Sequence, residues 1–165
     1  MEPFALNTIY IVRHGEAEDG FGRPDAERQL TEKGKEKLHE IGKKLHKLHV
    51  SPDLIVCSPF ARAVQTATII AEELGYKAEL LKDPRIIPMG RYEEFCDLFF
   101  ELTQHRTIMF VGHEPSASEF VAAICGSKNF KMDFRKGAVA CIAVERLRPV
   151  QGSLLWYAPS KILRA

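Results

Sequence analysis

The chain has 165 residues, 23 Lys and Arg against 22 Asp and Glu, and a formal net charge of +1 with neutral histidines. That is the length of one ordinary domain, and 45% hydrophobic with 27% charged residues is the composition of a folded globule, not of a disordered chain. A balance this flat excludes generic binding along a nucleic acid backbone, which calls for an excess of Lys and Arg, so any affinity for anions has to come from local placement.

In chain order, residues 1–5 (Met-Glu-Pro-Phe-Ala) carry neither the basic region nor the apolar run of a secretory leader. Thr8 to Val12, apolar and partly β-branched, reads as a first strand. It is followed by a loop from Gly15 to Leu30 that holds Glu16, Glu18, Asp19, Asp25 and Glu27 with Arg23 and Arg28. Thr31 is the expected N-cap of a helix whose buried stripe is Leu38, Ile41, Leu45 and Leu48. Leu54 to Cys57 reads as a strand. Ser58-Pro59 then predicts a cap with proline at the first helical position, with Ala63, Ala67, Ile70 and Leu74 as the stripe and Gly75 as the stop. A strand is expected at Ala78 to Leu81, a helix around Phe95, Leu98, Phe99 and Leu102, and a strand at Ile108 to Val111. A further helix after Pro115 carries Ala117, Phe120, Val121 and Ile124, and strands at Ala138 to Val144 and Leu154 to Tyr157 close the chain.

Strand and helix alternate, which predicts an α/β fold: a three-layer α/β/α sandwich with a mostly parallel central sheet, in a single domain over residues 1–165. The longest apolar run, Ala138 to Val144, is seven residues, far short of the roughly 18 to 20 needed to span a bilayer. Cys57, Cys96, Cys125 and Cys141 form no Cys-x-x-Cys pair and lie in apolar segments, so they read as reduced core thiols of a cytoplasmic protein.

The residues suited to chemistry stand just beyond the ends of three strands. The first strand runs into Arg13-His14-Gly15, the second into Ser58-Pro59-Phe60-Ala61-Arg62, and the fourth into Gly112-His113-Glu114-Pro115. Two arginines and two histidines are thereby brought to the carboxyl edge of the sheet, where open α/β sheets bind ligands. The set suits phosphoryl transfer. Guanidinium forks match phosphate oxygens, an imidazole can act as a covalent nucleophile, and nearby positive charge keeps that imidazole neutral.

These motifs, with Arg62-Ala63-x-Gln65-Thr66-Ala67, Gly112-His113-x-Pro115 and Asp25-x-x-Arg28-x-Leu30-Thr31-x-x-Gly34, resemble the histidine phosphatase superfamily, and within it the SixA-type phosphohistidine phosphatases. The resemblance runs from about Thr8 to Pro159. It implies the phosphoglycerate mutase-like fold without a large cap. His14 becomes the nucleophile that is phosphorylated, Arg13 and Arg62 the groups that bind the phosphoryl, and His113 the residue that completes the pocket. Gly15, lacking a side chain, lines the phosphate-binding site and lets backbone pack against the nucleophilic ring. No metal and no cofactor is implied. The expected partner is a phosphohistidine-bearing protein such as a histidine-phosphotransfer domain, with neither nucleic acid nor membrane involved.

A general acid is the open role. Glu93 or Glu94 could fill it, but both stand at a helix start, where carboxylates are expected for the dipole alone. Arg91 stands where such phosphatases often carry an acidic residue. Arg23, Arg28, Arg91, Arg135 and Lys136 could form a basic rim, although a solvated surface explains them as well. A cysteine phosphatase is disfavoured because four residues, none of them glycine, separate Cys57 from Arg62, a loop too short for that signature. A dinuclear metallophosphatase lacks its Asp-x-His and Gly-Asn-His, and His46 with His49 has no evident third ligand. A small-molecule phosphomonoesterase and a phosphoprotein-binding module without turnover are the remaining alternatives.

Overall fold

Strand residues alternate between two faces, and each face is buried by its own pair of helices. In the computed structural model, which describes residues 6–165, Ile9 and Ile11 of β1 (Asn7–Arg13) and Ile108 and Phe110 of β4 (Thr107–Gly112) point to one side. There they meet Phe95 and Phe99 of α3 (Tyr92–Glu101) and Phe120 and Val121 of α4 (Ser116–Ile124). Val12, Met109 and Val111 point to the other side, with Ile55 and Cys57 of β2 (Leu54–Cys57). That side is closed by Leu38, Ile41 and Leu45 of α1 (Glu32–Lys47) and Ala67 and Ile70 of α2 (Ala61–Leu74). The three-layer α/β/α architecture results from this two-sided burial. Residues 1–5, where a secretory leader would have begun, lie outside the described residues.

The six-stranded sheet has the order β3-β2-β4-β1-β5-β6, with β3 at Leu81–Lys82, β5 at Val139–Leu147 and β6 at Val150–Ala158. The first four strands of the chain pair in parallel, and β5 and β6 add an antiparallel edge. A four-residue helix, α5 (Ser160–Leu163), comes after β6. No helix among the described residues is long and apolar enough to cross a membrane.

Thr31 caps α1 as predicted, its Oγ1 accepting from the Gly34 N–H at 2.9 Å. Several local expectations are corrected; Leu48, expected in the buried stripe of α1, is 51% exposed at its C-cap. α2 starts at Ala61 with Phe60 as N-cap, not at Ser58-Pro59; the Ser58 hydroxyl accepts from the Phe60 N–H and bonds His113, just beyond the neighbouring strand. The third strand is displaced to Leu81–Lys82, where the register opposite Val56 and Cys57 permits pairing. Cys125 is exposed at the end of α4 and packs no core, whereas Cys57 and Cys141 are buried. The Gly15–Leu30 loop is also more tightly built than a solvated connection. An antiparallel bridge joins Ala17 to Leu30, Arg28 Nε donates to the Glu18 carbonyl at 2.9 Å, and the Leu30 N–H donates to Gln65 Oε1 at 2.8 Å.

Candidate active site

The register β1–β4 and β2–β4 sets Arg13 opposite Gly112 and Cys57 opposite Val111. The residues that come next, His14, Ser58 and His113, therefore emerge at one level beyond the sheet. Main-chain bonds extend the ladder to hold them: the His14 N–H donates to the Gly112 carbonyl at 2.9 Å and the Ser58 N–H to the Val111 carbonyl at 3.0 Å. The two imidazoles lie with ring centroids 5.1 Å apart. His14, His113 and Arg62 are 6%, 2% and 4% exposed, so this is a desolvated cluster of polar groups.

The tautomer of His14 is fixed by its neighbour. Its Nδ1 lies 2.8 Å from the Gly15 carbonyl oxygen, and since a carbonyl only accepts, Nδ1 carries the proton and Nε2 the lone pair. Arg62, in the first turn of α2, donates from Nε to that lone pair at 3.3 Å. Burial pushes the His14 pKa down to about 4, with the charges of Arg62, Arg13 and Lys136 adding to it against the Gly15 bond. The ring is neutral at pH 7. Gly15 also donates its N–H to Thr66 Oγ1 at 3.1 Å, and Thr66 in turn donates to the Arg62 carbonyl at 2.7 Å. A Cβ at Gly15 would stand 2.7 Å from Leu38 Cδ1, so α1 packs closely over this glycine.

Arg13 donates from NH1 to the Phe134 carbonyl at 2.9 Å, and His113 shares a 2.8 Å hydrogen bond between Nε2 and Ser58 Oγ. Phe60 stacks edge-on against the His113 ring at 5.3 Å, and the Arg62 guanidinium lies 5.3 Å from the centre of the same phenyl ring. Burial, then the charges of His14 and Arg62, hold His113 down to about 3. Arg13 Nε and His113 Nδ1 are the buried side-chain polar atoms without a hydrogen-bond partner among the described residues. Such atoms are rare in folded proteins, and both belong to this cluster, where oxygens of a bound anion would satisfy them.

The other sequence candidates divide. Glu94 turns back to accept from the Arg91 N–H and pairs with the Arg91 side chain, as its place in a helix start predicts. Glu93 lines surface grooves with Tyr92 and other residues, apart from His14. Glu114 accepts from the Ser118 N–H and hydroxyl, both at 2.7 Å. Cys57 is buried and its thiol is pushed up to about 11, so it is no nucleophile at neutral pH. Two partners of the cluster went unread in the sequence. Asp25 grips Arg62, and its signal was the Asp25-x-x-Arg28 segment; the Phe134 carbonyl, a main-chain group, leaves no signal at all.

The family model of the histidine phosphatase superfamily (branch 1) matches residues 9–110. The chain belongs to the histidine phosphatase superfamily. The mitochondrial serine/threonine-protein phosphatase Pgam5 of Drosophila ananassae is 37% identical over 78 residues, which make up 47% of this chain and 27% of that protein. Across three Drosophila Pgam5 proteins the matches span 27% to 35% of the relatives' own length. An uncharacterised protein of Picosynechococcus is 29% identical over 136 residues, 79% of this chain and 81% of its own. Among solved structures, the protein histidine phosphatase SixA complexed with tungstate superposes with a TM-score of 0.84 at 24% identity, covering 93% of this chain and 97% of that one. The alpha-ribazole phosphatase from Shigella flexneri gives 0.75 at 20% identity over 93% and 96%. These likenesses establish the fold of this superfamily member.

Proposed function

We propose that this superfamily member is a phosphatase that removes the phosphoryl group from phosphohistidine on a protein, by way of a covalent phosphoryl on His14. The observation that carries the reading is the neutral His14 ring, its Nε2 lone pair facing Arg62, beside two buried and unpartnered nitrogens, Arg13 Nε and His113 Nδ1. Arg62 and Arg13 grip the equatorial oxygens and stabilise their charge in the transition state. With its proton on Nδ1, His113 donates to a third oxygen while the Ser58 hydroxyl donates to Nε2.

In the first step His14 Nε2 attacks phosphorus, the bond from phosphorus to the substrate imidazole breaks, and the departing nitrogen takes the electron pair and a proton from water. In the second, water attacks the phosphoryl on His14, the bond from phosphorus to Nε2 breaks, and inorganic phosphate leaves as the lone pair returns to Nε2. The guanidinium groups provide the charge neutralisation, so the reaction as proposed needs no metal. Supporting phosphohistidine over alkyl phosphates is the state of the nearby carboxylates. Arg28 and Arg62 hold the Asp25 carboxyl below its ordinary range, Glu94 is engaged by Arg91 and Glu114 by Ser118, so none stands ready to protonate a poor leaving group. A departing imidazole needs less help.

The test is release of phosphate from a phosphorylated histidine-phosphotransfer domain, run beside sugar and nucleotide phosphates. Faster turnover of the esters would make the protein a small-molecule phosphomonoesterase. Tight binding without turnover, equal in His14→Ala, would make it a phosphoprotein-binding module.

A further inference from the structure

The basic side chains are not spread evenly around the pocket. Arg23 is paired with Glu18, Arg28 with Asp25 and Arg91 with Glu94. On the far side of Arg13 a cleft of about 530 Å³ opens between α1, the 133–137 segment and α5, and six cations line it: Arg13, Lys37, Arg135, Lys136, Lys161 and Arg164. Two carboxylates share that wall, and each is already held, Glu16 by Lys37 at 2.8 Å and Asp133 by Arg135 at 2.7 Å. Arg164 reaches Glu40 at 2.9 Å, and Lys136 and Lys161 are exposed without an ion pair among the described residues. The cleft thus carries six cations against two carboxylates, a local excess that the net charge of only +1 does not show.

The cleft is continuous with the phosphoryl pocket. Arg13 belongs to both, and the Gly137 N–H, at 3.1 Å from each of the Arg13 and His14 carbonyls, ties the 133–137 segment to the nucleophile. Lys136 is close enough to lower the His14 pKa. The remainder of the wall is Pro159 and Ser160. It offers no aromatic surface on which a nucleic acid base would stack, nor the apolar lining of a small-molecule pocket. An open, polar, cationic wall suits carboxylates arriving on a protein surface, where complementary charge steers encounter and selects partners.

We infer that this cleft docks an acidic segment of the protein that carries the phosphoryl group. The inference rests on the reading of the chain as a protein phosphohistidine phosphatase, and adds the chemistry of its partner: carboxylates flanking the phosphorylated histidine, seated on Lys136, Lys161 and Arg164.

The experiment is fluorescence anisotropy with a labelled, unphosphorylated Glu-rich peptide and its Gln counterpart. The expected result is a preference of at least tenfold for the Glu peptide, lost at about 0.5 M salt, where screening reaches contact distance. Lys161→Glu with Arg164→Glu raises Kd at least tenfold, and Lys161→Glu alone, which breaks no ion pair, raises it at least threefold. Lys77→Glu, on the opposite end of the molecule after α2, leaves it unchanged. Thermal melting of each variant confirms folding. Equal Kd values for the two peptides, wild-type affinity in the cleft variants, or tighter binding of a single-stranded oligonucleotide of equal charge would overturn the inference. Peptide binding needs no turnover, so the two readings fail separately. A Glu preference with no release of phosphate from phosphohistidine refutes only the activity, and turnover without the preference refutes only the docking cleft.

Discussion

Asp25 holds the end of the Arg62 guanidinium that faces away from His14. Its main-chain carbonyl accepts from NH1 at 2.7 Å and its carboxylate from NH2 at 3.2 Å, which leaves the Nε edge directed at the His14 lone pair. The same carboxylate accepts from Arg28 at 3.0 Å, so one loop residue joins two arginines and fixes the angle at which Arg62 meets a phosphoryl group. Removing the carboxylate leaves only the main-chain bond to NH1 and loosens the guanidinium, and small misplacements of a positioning group cost about tenfold to a hundredfold in rate. Asp25→Ala is therefore expected to lower kcat/KM on phosphoramidate by about that factor, with Asp25→Asn recovering most of it because its amide oxygen still accepts. The melting temperature should hardly move, since the Asp25 side chain is 55% exposed. Unchanged kinetics in Asp25→Ala would show that Arg62 is held by other means.

The covalent step is tested on the enzyme itself. Incubation with a labelled phosphoryl donor should leave an acid-labile, alkali-stable adduct on His14, absent in His14→Asn, and turnover in that variant should fall by about 10³-fold or more because the nucleophile is gone. Label on Cys57 or Ser58 would contradict the mechanism. EDTA treatment should leave the wild-type rate intact, and a strict divalent-metal requirement would refute the role given to the guanidinium groups.

Acid should act on rate and on stability in different windows. The reactive form of His14 is the neutral ring, and its pKa is about 4, so kcat/KM should stay flat from pH 7 to near 5 and fall about tenfold per unit once His14 protonates. Stability responds earlier. The folded values of His14 and His113, about 4 and about 3, lie below the ordinary histidine value near 6.5, so the unfolded chain binds protons first. Their contribution is complete above that ordinary value, declines as pH falls toward the folded values, and is constant below them. Melting curves across this range should show the decline, shallower in His14→Asn.

How much was legible depended on whether a residue acts through its own side chain and its local sequence. His14 and His113 were readable because each stands just past an apolar strand, Arg62 because it opens the helix that follows one, and parallel pairing brings strand ends together. The cap at Thr31 was readable for the same local reason. Ser58 precedes α2 and bonds the Phe60 N–H locally, but its hydroxyl also serves a residue 55 positions away, which no local pattern records. Gly34 was visible in the motif without its reason. In the fold, a Cβ there would run into the Glu16 carbonyl oxygen where the first turn of α1 crosses the loop. The group that holds Arg13, the Phe134 carbonyl, is main chain and so carries no residue signature.

Ser58 also offers the sharpest test of how His113 is held. Its hydroxyl oxygen is fully buried, accepts from the Phe60 N–H at 3.2 Å and bonds His113 Nε2 at 2.8 Å. In Ser58→Ala the Nε2 of a buried imidazole loses its partner while Nδ1 already lacks one, which should cost about 1–3 kcal/mol of stability and release the ring from its orientation. Turnover should then fall by several-fold, while His113→Ala removes the donor outright and falls further. If Ser58 acts only through His113, the double variant turns over no more slowly than His113→Ala alone, the non-additivity expected of residues in one network. Additive losses in kcat would mean that the hydroxyl meets the phosphoryl group directly, and Ser58 would then join Arg13 and Arg62 among the groups that touch the substrate.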